Sequence, residues 1–122
     1  MVTEHIDLIL YVTGGITVSM FLQFLAPQAI LRTFYKLPVE DPTTIFFARL
    51  WALVIALFGA LLIWAGYDPA LRTPLTVIVA LGKTIHVVVI LMNRKTFARG
   101  FLHVAAFDTL CTVLYVSYLA GL

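Results

Sequence analysis

The stretch Thr76-Val77-Ile78-Val79-Ala80-Leu81-Gly82-Lys83-Thr84-Ile85-His86-Val87-Val88-Val89-Ile90-Leu91 decides how this chain is read. It is an apolar run long enough to cross a bilayer, with a lysine at its midpoint and a histidine one turn further on. A lysine at the bilayer centre costs roughly 2.5–3.5 kcal/mol on insertion scales. Eleven Leu, Ile and Val between Leu75 and Leu91 each offset roughly 0.3–0.6 kcal/mol on the same scale, so the segment still inserts. Lys83 is therefore tolerated at a cost, and its acidic partner is expected on another helix.

Working outward, three further runs of the same kind appear. The first is expected over about 6–26, stopped by Pro27, whose missing N–H cannot continue a helix. The second runs over about 45–65 and ends at Gly66, the third over about 75–93, and the fourth over about 101–119. Each has the ~20 residues that cross a ~30 Å hydrocarbon core. Between the first two, Ala29-Ile30-Leu31-Arg32-Thr33-Phe34-Tyr35-Lys36 suits a short interfacial helix. Residues 38–44 form a turn ending in good N-cap residues. Residues 94–100 read as a basic loop. The expected fold is all-α: one domain over 1–122, a polytopic four-transmembrane-helix bundle.

Composition agrees. Of 122 residues, 62% are hydrophobic and only 11% charged, with a mean hydropathy of +1.05. A soluble domain carries about a quarter charged residues. A formal net charge of +2 is too small and scattered to suggest nucleic acid. The single cysteine, Cys111, lies inside an apolar run, so no disulfide framework is expected. No cleavable signal peptide is expected either, because Glu4 and Asp7 stand where a signal carries Lys or Arg. Arg32 and Lys36 in the first loop, with Arg94, Lys95 and Arg99 in the third, outnumber Arg72 in the second. That bias puts both termini on the extracytoplasmic side, and a bacterial inner membrane is the expected location.

At about 1.5 Å per residue, Gln23, Arg49, Lys83, His86 and Asp108 fall into the same half of the membrane. Five polar groups on four helices at one depth are expected to converge in the bundle interior, where lipid does not meet them. Arg49 and Lys83 flanking Asp108 would leave one excess positive charge. That predicts a pocket for a small lipophilic molecule with a polar or anionic head, such as a quinone, sterol-like or isoprenoid compound. Tyr115 and Thr112, one turn or two beyond Asp108, are further candidate ligand groups. If chemistry occurs, Lys83, His86 and Asp108 are the acid and base candidates. A bland alternative stands beside each residue. Arg49 is near enough to the surface to snorkel, and capping or cross-linking helices is the commoner role of a lone amide such as Gln23. A Lys83–Asp108 pair that only sets helix register needs no ligand.

Other chemistries find little support. There is no His/Cys/acid spacing for a metal, no glycine-rich phosphate loop and no Cys pair for quinone–disulfide exchange. His86 or His103 could ligate a haem in a four-helix bundle, but the two differ in depth by more than a turn, and no cofactor is expected. Ala52, Ala56 and Ala60 with Gly59, and Gly15 and Ser19 with Gly14, form small-residue stripes that let backbones approach. Trp51 and Trp64 read as interfacial anchors.

Phe47-Ala48-Arg49-Leu50-Trp51 entering the second span, Pro27 closing the first, Gly59 and Gly66, and an acid in the fourth resemble the layout of DoxX-like small membrane proteins. Gln23 and Ala48-Arg49 are also similar to the scaffold protein family of ergosterol biosynthesis. The resemblance implies an auxiliary or scaffold subunit beside a membrane oxidoreductase or lipid-modifying enzyme; separately, so small a bundle is expected to pair with itself as a homo-oligomer. A lipophile isomerase or redox enzyme and a small proton-coupled exporter are the remaining alternatives.

Overall fold

A computed structural model describes residues 2–122; for residue 94 and for residues 96–99 the backbone alone is described. The described residues form helices α1 (Ile6–Val18), α2 (Phe21–Leu25), α3 (Pro27–Phe34), α4 (Pro42–Tyr67), α5 (Arg72–Met92) and α6 (Arg94–Leu119), with no strand among them. Short 3-10 turns at Thr3–His5 and Pro69–Leu71 precede α1 and α5. Among the described residues, four stretches are long and apolar enough to cross a membrane: Thr3–Leu25, Pro42–Tyr67, Pro69–Met92 and Gly100–Leu119.

Local chemistry explains the boundaries. Thr13, Thr17 and Ser19 bond back to the carbonyls of Ile9, Thr13 and Ile16, and such back-bonding bends helices. At that place the backbone tightens, with Met20 N–H reaching Thr17 O at 3.1 Å, and α1 hands over to α2. Pro27 does close the first span, and it opens α3 at the first position, where its missing N–H costs nothing. Asp41 caps α4, its Oδ2 accepting from the Thr44 N–H at 3.0 Å and the Thr44 hydroxyl at 2.8 Å. Those two bonds hold its carboxyl below the ordinary carboxylate range. At the other end of α4, Arg72 donates to the carbonyls of Ala65 (3.0 Å) and Gly66 (2.7 Å), which satisfies carbonyls left open there.

The structure corrects the third loop. Residues 94–100 are helical, and only Asn93 separates α5 from α6. Asn93 caps α5 instead, with its N–H and side-chain amide both on the Val89 carbonyl. The side chains of Arg94 and Arg99, which entered the charge bias, lie outside the described residues.

The helices associate as two tight pairs, α1–α4 and α5–α6, with sparser contact between the pairs. In the first pair the backbones touch. A Cβ added to Gly59 would lie 2.6 Å from Val18 N, and one added to Gly14 would lie 2.8 Å from Gly59 O. Ala48, Ala52, Ala56, Gly59 and Leu62 line the buried face of α4. Ala60 and Gly15, grouped with that stripe on spacing alone, face outward.

Two buried clusters close the ends of the bundle. At the termini end Ile6, Leu10, Leu62, Ala65, Val79, Ala80, Cys111 and Tyr115 pack together. Leu31, Tyr35 and Ala48 do so at the α3 end, with Trp51, Phe101 and Val104 against them. The two termini meet, Val2 N–H donating to Leu122 O at 3.0 Å. Leu8, Val12, Leu57, Leu81, Leu110 and Val113 are each half exposed or more on the outside. An apolar surface of that extent is of the kind that a membrane or a protein partner covers.

Candidate functional site

Between the two clusters, where the helix pairs separate, lies a cavity of about 580 Å³. Its walls are apolar for the most part: Ile16, Met20, Ile55, Phe58, Val79 and Phe107. Polar atoms come from Lys83, His86, His103 and Asp108, with Gln23, Tyr35 and Trp51 also on its boundary.

Asp108 is the hub. Its Oδ1 accepts from Lys83 Nζ at 2.7 Å, and its Oδ2 lies 2.7 Å from His86 Nδ1. Lys83 and His86 are three residues apart and so share one face of α5; Asp108 meets them from α6. A carboxylate only accepts, so Nδ1 of a neutral His86 carries the proton and donates it, leaving Nε2 as an acceptor. Burial grades from Asp108, whose side chain is 7% exposed, through Lys83 at 13% to His86 at 31%. The carboxylate is thus the most buried of the three, and all three border the cavity. Lys83 Nζ also lies 4.9 Å from the Phe107 ring centroid, a cation–π distance.

Aromatic rings floor the cavity at the α3 end. Trp51 meets His86 edge-on at 6.2 Å, and Tyr35 lies 5.8 Å from both Trp51 and His103. Tyr35 is held against Gly100, where a Cβ would collide with the Tyr35 carbonyl. Burial, and after it the charge on Asp108, pushes the Tyr35 phenol up to about 12.

Not every expected residue arrives. Arg49 is exposed, its guanidinium 6.0 Å from the Phe24 ring, so it does not flank Asp108. Its neighbour Ala48 is on the buried stripe of α4, and one residue is ~100° of rotation on a 3.6-residue helix. Without Arg49 the excess positive charge disappears: Lys83 and Asp108 cancel, and His86 adds charge only when protonated. Tyr115 and Thr112 are also elsewhere. Tyr115 donates to Thr13 Oγ1 at 2.6 Å, tying α6 to α1, while Thr112 bonds back to the Asp108 carbonyl at 2.8 Å. Gln23 is at the cavity wall but fully buried; its amide donates to Ala48 O at 2.9 Å and cross-links α2 to α4.

Trp51 and Tyr35 are the residues that sequence reasoning missed. Trp51 follows Ala48 by three residues, which puts it on the inward stripe and not at a lipid-facing anchor position. Tyr35 carries no such signal, since it belongs to no span. Among the described residues no group of three His, Cys, Asp or Glu is placed to hold a metal ion. No family model, curated protein or solved structure matches the chain.

Proposed function

We propose that this is an integral membrane protein whose cavity holds a small lipophilic molecule by an oxygen-bearing head, with Lys83 and His86 as the head-group contacts. One observation carries this reading: an apolar hollow of about 580 Å³ meets a charge-balanced Lys83–Asp108–His86 cluster at one wall. Ligand pockets combine a largely apolar lining with a few convergent polar groups, and ionisable residues inside a membrane bundle mark functional sites. Lys83 has two N–H bonds beyond the one given to Asp108, and His86 Nε2 is an acceptor. A quinone, a sterol-like ketone or alcohol, or an isoprenoid with an oxygen head matches this pair. The loss of Arg49 from the cluster favours a neutral head over an anionic one.

The orientation we propose follows the basic residues. Arg32 and Lys36 border the α3 end, as does Lys95, so that end faces the cytoplasm and the termini face outward. A bacterial inner membrane suits both the charge bias and the small, disulfide-free chain.

Trp51 borders the cavity whereas Trp64 is exposed on the outside, so emission of a Trp64→Phe protein reports occupancy. Menadione, a small quinone, is expected to quench it saturably. Lys83→Met should weaken that quenching by roughly ten- to a hundredfold, since a hydrogen bond to a charged group contributes about 1.5–3 kcal/mol. Ile55→Phe, which adds bulk inside the cavity, should weaken it as well. Mass spectrometry of an extract from gently solubilised protein should find a bound lipophile. An empty extract and emission blind to menadione would sink the pocket; a partner protein co-purifying in its place would favour the scaffold role.

A further inference from the structure

His86 borders two hollows. Besides the main cavity, a second one of about 310 Å³ is lined by Leu37, His86, Val89, Ile90, Asn93 and Phe101. It lies at the α3 end, between the linker after α3 and the α5–α6 turn, where Asn93 is exposed. A single imidazole thus borders both the apolar cavity and a recess at the end of the bundle.

We propose that the Asp108–His86 pair makes this cavity an acid–base site, with His86 moving a proton at the carbon next to the carbonyl of a bound lipophilic ketone. The inference rests on the binding reading above and adds the reaction class. Four geometric facts support it. Asp108 Oδ2, 2.7 Å from Nδ1, fixes the tautomer in which Nε2 is the base, as in catalytic dyads generally. Nε2 accepts from no described residue. Lys83, sharing Asp108 with His86, offers N–H donors beside the same wall for the oxygen on which charge develops. His86 also lines the second hollow, the recess to which the proposal assigns exchange of its proton with water.

The step balances without a further reactant. The C–H bond next to the carbonyl breaks and its proton goes to His86 Nε2. The released electron pair forms the enolate C=C bond, and the negative oxygen meets Lys83. The imidazolium, having exchanged its hydrogen with water in the recess, returns one to carbon; return to a conjugated position would shift a double bond. Lys83 on α5, Asp108 and His103 on α6 and Tyr35 beyond α3 are the titratable groups around His86, and α4 contributes Trp51 and apolar side chains. His86 and Lys83 are the catalytic residues in this scheme, and Asp108 is a positioning residue.

Geranylacetone, an isoprenoid ketone, is the probe. In D2O the purified protein should drive deuterium into its positions next to the carbonyl, read by mass spectrometry. General acid–base catalysis contributes about 10²–10⁴-fold, so at geranylacetone concentrations that saturate each protein His86→Gln should lose roughly a hundredfold or more of the exchange rate. Asp108→Asn should also slow exchange when compared with the wild type at saturating geranylacetone. Displacement of menadione without deuterium gain above the His86→Gln rate overturns the acid–base role and leaves the binding reading standing. Failure of geranylacetone to displace bound menadione also overturns it. If neither compound binds, both readings fall together.

Discussion

Asp108 spends both carboxylate oxygens on one neighbouring helix, and that single residue ties α6 to α5 inside the bundle. Removing one partner of a buried pair leaves an uncompensated charge, which costs about 3–5 kcal/mol, whereas replacing both with apolar groups is often neutral. Asp108→Ala is therefore expected to lower the unfolding midpoint in detergent steeply. Lys83→Met combined with Asp108→Leu should recover most of that loss; a double variant no more stable than Asp108→Ala would contradict this. Tyr35 offers a pH test. Its folded-state value, about 12, exceeds the ordinary phenol value of 10.0, so its contribution is complete below pH 10 and is lost as pH rises toward 12. Two units correspond to on the order of 2–3 kcal/mol. Thermal stability of the wild type should fall over that window more than that of Tyr35→Phe. Both residues show how far sequence goes at this scale: the expense of a lysine among valines pointed to an acidic partner, but Tyr35, outside any span, drew no such attention.

At the scale of elements, helix crossing depends on which face each side chain occupies. Gly14 and Gly59 meet backbone to backbone, while a Cβ on Gly15 would enter open space. Overpacking costs typically 1–3 kcal/mol, so Gly59→Ala should destabilise the protein by about that much or more, and Gly15→Ala should be neutral or slightly stabilising. Equal effects in thermal unfolding would mean that α1 and α4 cross elsewhere. Asp41 at the start of α4 has a depressed carboxyl, so its capping bonds persist above the ordinary carboxylate range and are lost as pH falls through the lowered value. Arg49 illustrates why this scale was only partly legible. Depth along a helix follows from counting residues, but azimuth does not, and Ala48 and Arg49 differ in depth by ~1.5 Å yet face opposite environments. The Ala48, Ala52, Ala56, Gly59 stripe did carry the azimuth, and it would have turned Arg49 out and Trp51 in.

For the whole molecule, two helix pairs enclose a hollow where their contact thins, and both chain ends lie together at the opposite end from α3. In the orientation proposed, a Cys111→Ser protein with a new cysteine at Ala70 should react with a membrane-impermeant maleimide in intact cells, and one at Lys36 should not. The reverse pattern would invert the topology. Length, hydrophobic runs and proline positions by themselves determined four helices long and apolar enough to cross a membrane and a short helix after the first, because a helix in lipid must satisfy its own backbone and present an apolar surface. They also marked Lys83, His86 and Asp108, since a charge inside such a run is too costly to be incidental. Only the tertiary structure decided which of the polar groups meet. Rotation of each helix about its axis is set by close approach of Gly14 to Gly59 and by packing of Tyr35 under Trp51, contacts between residues distant in the chain. Those rotations brought Lys83 and His86 to Asp108, sent Arg49 outward, and left the cavity between them.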